Sequence, residues 1–135
     1  MIDARTAPYA ALLLRVVLGA LFLAHAGLKL FVFTPAGTAA FFGSLGFPPV
    51  VAYATIAAEV VGGAALLLGV MTRWVSLALL PLLLGAAILV HLPNGFFFTA
   101  PNGGWEYPAF WAVALLCQAL LGDGAFSLRR RPAAI

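Results

Sequence analysis

Four long apolar runs organise the chain, at residues 9–33, 50–71, 74–92 and 107–121. Helix-breaking segments mark their ends: Pro48-Pro49 before the second, Pro93-Asn94-Gly95 after the third and Gly122-Asp123-Gly124 after the fourth. A helix that crosses a bilayer needs about 20 mostly apolar residues. None of the runs alternates apolar with polar positions as a barrel strand would. Backbone groups in hydrocarbon must find partners within their own segment, so each run predicts a helix. The fourth run is short; it begins before residue 107 or lies where the bilayer thins. The pattern predicts an all-α, transmembrane four-helix bundle formed by a single membrane domain over residues 1–135.

Composition agrees. Hydrophobic residues make up 64% of the 135 residues and charged residues 8%, with mean hydropathy +1.11. A soluble domain carries about 25% charged residues. So few charges cannot cover a water-facing surface, which excludes an ordinary soluble enzyme and a disordered chain. Lipid is the expected solvent. The lone Cys117 excludes an internal disulfide and a CxxC thiol-exchange pair. The net charge of +3 does not indicate nucleic acid, because three of the seven basic residues stand together at Arg129, Arg130 and Arg131, just past the last apolar run. With Arg5 and Arg73 they mark one side of a four-span chain, while residues 34–49 and 93–106 contain no Lys or Arg. The positive-inside rule then places both termini in the cytoplasm and the chain in the cell's inner membrane. Ala24-His25-Ala26 matches a signal-peptidase pattern. However, Arg15 interrupts that apolar stretch, which runs on to Phe33, so the first span is expected to be retained.

The connections add two features. In residues 36–46, Phe41, Phe42 and Leu45 recur at roughly helical spacing, which fits an interfacial helix or a loop dipping its rings into headgroups. Residues 93–106, with Phe96-Phe97-Phe98 and Gly103-Gly104-Trp105, form an outer loop long enough to lie over the bundle mouth.

Ionisable residues inside the spans carry the chemistry. Each costs about 2.5–3.5 kcal/mol to insert at mid-depth. At about 100° per residue, Arg15, His25 and Lys29 share one face of the first helix with Leu18 and Phe22. Glu59 lies mid-way along the second span, on a stripe with Thr55, Gly62, Gly63 and Leu66; the glycines allow close approach of a neighbouring helix. Arg15, long and permanently charged, is the expected ion-pair partner of Glu59, with His25 as the other candidate. A pair that only sets helix register accounts for Arg15 and Glu59 at least as well as a functional role does. His25, Lys29, His91 and Glu106, from three spans, converge toward the outer face, and an imidazole titrates near neutrality.

In order along the chain stand Arg15-Val-Val-Leu-Gly-Ala-Leu-Phe22, His25-Ala-Gly-Leu-Lys29, Phe41-Phe42 with Leu45-Gly46, Glu59-Val-Val-Gly-Gly63, and Leu68-Gly-Val-Met-Thr-Arg73. They are followed by His91, Asn94-Gly95-Phe96 and Gly103-Gly-Trp-Glu-Tyr107. This set resembles the DoxX family of small four-helix membrane proteins over roughly residues 13–128. The resemblance implies a loose tie to redox biology. Relatives include a subunit of an archaeal thiosulfate:quinone oxidoreductase and bacterial proteins linked to quinone or oxidative stress, while other branches serve assembly. By position it carries over Arg15, His25, Lys29, Glu59, His91 and Glu106 as the candidate site.

The expected function is a membrane component of a redox system that binds a quinone or a small sulfur substrate in an outward-facing polar pocket. His25, His91 and Glu106 would be its proton-handling catalytic groups. Lys29, Phe22, Trp105, Tyr107 and Trp111 would bind substrate. No electron-carrying motif is present, so a partner redox protein or the bound donor itself would supply electrons. Haem on His25 and His91 is disfavoured because their expected depths differ by roughly 6 Å. A metal held by His25, His91 and Glu106 lacks ligand spacing, so no metal is expected. The alternatives are a non-catalytic assembly subunit, as a homo-oligomer or beside a partner, and a small-solute or proton transporter. Four short spans without an inverted repeat suit the latter poorly.

Overall fold

The computed structural model describes residues 1–128; the Arg129, Arg130 and Arg131 cluster lies outside the described residues. Every regular element among the described residues is helical. Helix α1, Ala7–Gly27, continues through a π-helical turn, Leu28–Val32. Helix α2 is Thr34–Ser44 and α3 is Pro49–Leu68. Helix α4, Thr72–Gly85, continues through a second π-helical turn, Ala86–His91, and a short 3-10 turn, Leu92–Asn94. Helix α5 is Glu106–Leu121.

Three stretches, Ala7–Val32, Pro49–Leu68 and Thr72–Asn94, are long and apolar enough to cross a membrane. The fourth, α5, is apolar but only 16 residues long. Proline stands in the first turn of α1, α2 and α3, where its missing N–H costs nothing and its fixed φ favours entry. The stretch expected at 36–46 to be an interfacial helix or a loop is helical. Thr34 Oγ1 accepts from the Gly37 N–H at 3.1 Å at its start, and Thr38 and Ala39 are buried.

The long helices alternate in direction, with α1 packed chiefly on α3 and α4 chiefly on α5. Both described chain ends lie at one end of the bundle, called here the terminal end. There the segment after α5 folds back, with the Ala125 N–H donating to Pro8 O at 2.9 Å and the Leu128 N–H donating to Leu68 O at 3.0 Å. The opposite, loop end holds α2 and the 93–106 connection. Each long helix buries one stripe: Leu18, Phe22, Leu66, Leu79, Leu83 and Leu115 form the core. Large apolar side chains such as Leu13, Val61, Phe110 and Leu120 face outward, which suits hydrocarbon as solvent.

Helices α1 and α3 touch backbone to backbone. A Cβ built on Gly19 would lie 2.7 Å from Gly63 O, and one on Gly63 would lie 3.0 Å from Gly19 O. The close approach expected of the Gly62-Gly63 pair is therefore present, Gly63 meeting Gly19 on α1 and Gly62 meeting the Leu79 side chain on α4.

Candidate functional site

The charges in the spans are paired differently from the expectation. Glu59 does not bind Arg15. Its two carboxylate oxygens accept from Lys29 Nζ, at 2.8 and 2.9 Å. Both side chains are largely withdrawn from solvent, at 18% and 8% exposure. The reason is geometric. A helical side chain leans toward its own N-terminus. In the antiparallel α1–α3 pair, Lys29 leans away from the loop end while Glu59 leans toward it, and the two meet. The Lys29 carbonyl also lies 3.4 Å from Thr38 Oγ1, placing the pair beneath α2.

Arg15 obeys the same rule and points to the terminal end. Its Nη1 donates to the carbonyls of Leu66 (3.1 Å) and Leu67, and its Nη2 donates to Ala125 O at 2.9 Å. The last carbonyls of a helix have no intrahelical donors. Arg15 therefore caps α3 and ties the returning C-terminal segment to it. Glu59 lies seven residues before Leu66, roughly 10 Å away along α3.

At the loop end, His91 closes α4 and is fully engaged. The Gly103 carbonyl can only accept, so His91 Nδ1 donates to it at 3.0 Å, and Nε2 then accepts from the Tyr107 hydroxyl at 2.7 Å. Asn94 Nδ2 donates to the same Gly103 carbonyl at 3.1 Å. The aromatic loop is zipped beside them: Trp105 N–H donates to Gly95 O and Glu106 N–H to Phe96 O, each at 3.0 Å. Glu106 Oε1 accepts from the Phe98 N–H at 3.0 Å, so this carboxylate holds the loop. Trp105 packs edge-on against Phe96, with centroids 4.8 Å apart. A Cβ on Gly104 would overlap the carbonyl oxygens of Phe96 and Phe97, so the loop closes only around glycine.

His25 faces α5. Its ring meets Trp111 edge-on with centroids 4.8 Å apart, and Phe22 packs against the same indole at 4.8 Å. His25 Nδ1 lies 2.9 Å from Leu21 O. That carbonyl only accepts, so Nδ1 carries the hydrogen and the neutral ring keeps a lone pair on Nε2. Trp111 is buried, and its Nε1–H has no partner among the described residues.

Three groups thus stand toward the loop end: Lys29–Glu59 between α1 and α3, His25–Trp111 between α1 and α5, and His91–Tyr107 between α4 and α5. Tyr107 is one helical turn from Trp111, which brings the last two near each other along α5. Among the described residues no hydrogen bond, ion pair or ring contact joins Lys29–Glu59 to the others.

Two surface cavities lie elsewhere. One, about 370 Å³, is an apolar groove between α4 and α5 whose lining includes Leu84, Ala87, Trp105, Ala109 and Leu116. The other, about 650 Å³, is at the terminal end and includes Ile2, Pro8, Ala11, Asp123 and Phe126. No group of three or more His, Cys, Asp or Glu among the described residues could hold a metal ion. Sequence reasoning also missed the terminal-end polar groups: Asp123, whose Oδ1 accepts from the Thr72 N–H at 3.0 Å, and Gln118, whose Nε2 donates to Gly122 O at 2.9 Å. Their signals in the chain are the Gly-Asp-Gly stop after the last run and the amide of Gln118 inside that run.

Apolar helices long enough to span, with charged groups held inside their contacts, define a small helical membrane protein. The DoxX family model matches residues 10–92, and the chain belongs to that family. It is 42% identical over 117 residues to a Bacillus subtilis (strain 168) protein named "Putative oxidoreductase CatD", covering 87% of this chain and 82% of that relative. No solved structure matches the chain.

Proposed function

We propose that the protein is the ligand-binding membrane component of a redox system, seating a quinol or quinone head group between α1 and α5 near the loop end. The observation that carries this reading is the His25–Trp111 pair. A ligand hydroxyl could donate to His25 Nε2 and accept from the unpartnered Trp111 Nε1–H. That satisfies a buried donor which is otherwise costly to leave unmade. His25 then acts as the proton acceptor, and Tyr107 with His91 stands one turn farther along α5 toward the loop. Phe22 flanks the indole. Lys29, Glu106 and both nitrogens of His91 are already engaged, so they shape the site rather than touch the ligand. The oxidoreductase name of the Bacillus relative supports the same class. Electrons pass to or from a partner redox protein. In this reading α5 is a fourth span, and the basic residues Arg5 and Arg73 at the terminal end put that end in the cytoplasm, in the inner membrane.

The test is titration of the protein in lipid nanodiscs with a short-chain quinol, followed by tryptophan fluorescence. Saturable quenching that weakens at least about tenfold in Trp111→Phe and His25→Ala, or about 1.4 kcal/mol, is expected. Absence of saturation, or binding unchanged in both variants, refutes it.

A second reading has one observation in its favour. Arg15, Lys29 and Glu59 are all consumed by bonds between elements, as in a non-catalytic assembly subunit whose charges set helix register. Co-purification with a membrane enzyme whose activity survives His25→Ala would favour it.

A further inference from the structure

At one level of the bundle three of the long helices, α1, α4 and α5, each bury a polar side chain that the site above does not use. Arg15, Ser76 and Gln118 each stand three residues toward the terminal end from a core leucine: Leu18 on α1, Leu79 on α4 and Leu115 on α5. Thr72 lies one further turn down α4. The four side chains are exposed by only 1%, 1%, 0% and 0% in the order Arg15, Ser76, Gln118, Thr72, and the three leucines above them by 2% or less.

Each of the four has a polar atom without a partner among the described residues: Arg15 Nε, Ser76 Oγ, Gln118 Oε1 and Thr72 Oγ1. Their chemistry is complementary. Arg15 Nε–H only donates, Gln118 Oε1 only accepts, and the two hydroxyls do both. Gln118 cannot escape by turning its amide over, because its Nε2 is held by the Gly122 carbonyl. The other guanidinium nitrogens are committed to Leu66, Leu67 and Ala125 carbonyls. A permanent buried cation without a carboxylate in hydrogen-bond contact is costly. Orphaned polar atoms at this density are what buried water satisfies, with two to four partners per molecule.

We propose that this layer is a hydration site: ordered water bridges Arg15 Nε, Ser76 Oγ and Gln118 Oε1 and extends past Thr72 toward the half-buried Asp123. Leu18, Leu79 and Leu115 close it toward the loop end, so the water stops there and the bundle holds a hydrated vestibule rather than a through-path. The water solvates the guanidinium, which lets an arginine sit inside an apolar bundle.

Water-edited solid-state NMR on the isotopically labelled full chain in bilayers tests this. Polarisation from water is expected to reach Arg15 Nε and the Gln118 side chain well before the Leu115 methyl groups. Transfer to Arg15 Nε is expected to be lost in Ser76→Ala/Gln118→Leu. Arrival at Arg15 Nε no earlier than at Leu115 overturns the proposal, as does a direct Arg15 Nε–Gln118 Oε1 hydrogen bond. The wild-type measurement decides alone if the double variant does not fold.

Discussion

Lys29→Met and Glu59→Gln should each destabilise the bundle, and their effects should not add. Lys29 Nζ meets both Glu59 oxygens, at 2.8 and 2.9 Å, with the carboxylate 8% and the lysine 18% exposed. Removing one partner strands the other charge in low dielectric, which costs about 3–5 kcal/mol for a buried pair. The residual exposure of Lys29 lets its ammonium find polar surroundings, so the lower end, about 3 kcal/mol, is expected for Glu59→Gln. Lys29→Met leaves a carboxylate with less access and should cost at least as much. Replacing both, as Lys29→Met/Glu59→Gln, removes the charges together and should cost about as much as either change alone, about 3–4 kcal/mol instead of a sum of about 6, giving a coupling of about 2–3 kcal/mol. Reversible unfolding in mixed detergent micelles with rising SDS fraction, followed by circular dichroism, reads each corner of the cycle. The control cycle is Arg15→Met with Glu59→Gln, expected to be additive within about 0.5 kcal/mol because the two groups share no partner. Additivity for Lys29 and Glu59, or equal coupling for Arg15 and Glu59, refutes the antiparallel lean argument that assigns the pair.

Tyr107→Phe removes the hydroxyl that donates to His91 Nε2 and should cost about 1 kcal/mol, read as faster amide exchange in residues 95–106 without global unfolding. Gly104→Ala places a methyl against the Phe96 and Phe97 carbonyls; the Trp105 and Glu106 amides should lose protection, while the α1–α3 amides keep theirs. Gly19→Leu pushes α1 off α3 and should cost several kcal/mol, of the order of 3, in the same SDS titration. Arg15→Lys keeps the charge but cannot fork to three carbonyls, and a loss of about 2 kcal/mol is expected.

The helices were legible because hydrocarbon enforces them: long apolar runs between Pro and Gly breaks admit little else, and the predicted bounds fall within a few residues of the observed ones. The Gly62-Gly63 contact was legible for the same reason, since small residues are what permits backbone approach. The partner of Glu59 was not. Ranking Arg15 first weighed charge and reach and omitted the lean of side chains toward the helix N-terminus, which in antiparallel neighbours decides who meets whom. Lys29 and His91 both sit in π-helical turns, where 100° per residue no longer holds, so a uniform helical wheel does not fix where their side chains point. Convergence on a shared outer hollow was therefore too coarse a reading. His91 and Glu106 spend their hydrogen bonds on a loop whose zipper rests on backbone pairs, which periodicity does not report. The case for His25 beside Trp111 comes from tautomer logic that needs coordinates: a carbonyl at Nδ1 leaves the lone pair at Nε2, on a ring that meets an indole whose N–H has no partner among the described residues. The same reasoning separates the two ends of the molecule. At the terminal end donors and acceptors lie in one enclosed layer and can be satisfied by water. Near the loop end the Nε2 acceptor of His25 and the indole donor of Trp111 belong to two rings in contact between α1 and α5, and it is this pairing that the proposed quinol hydroxyl would use.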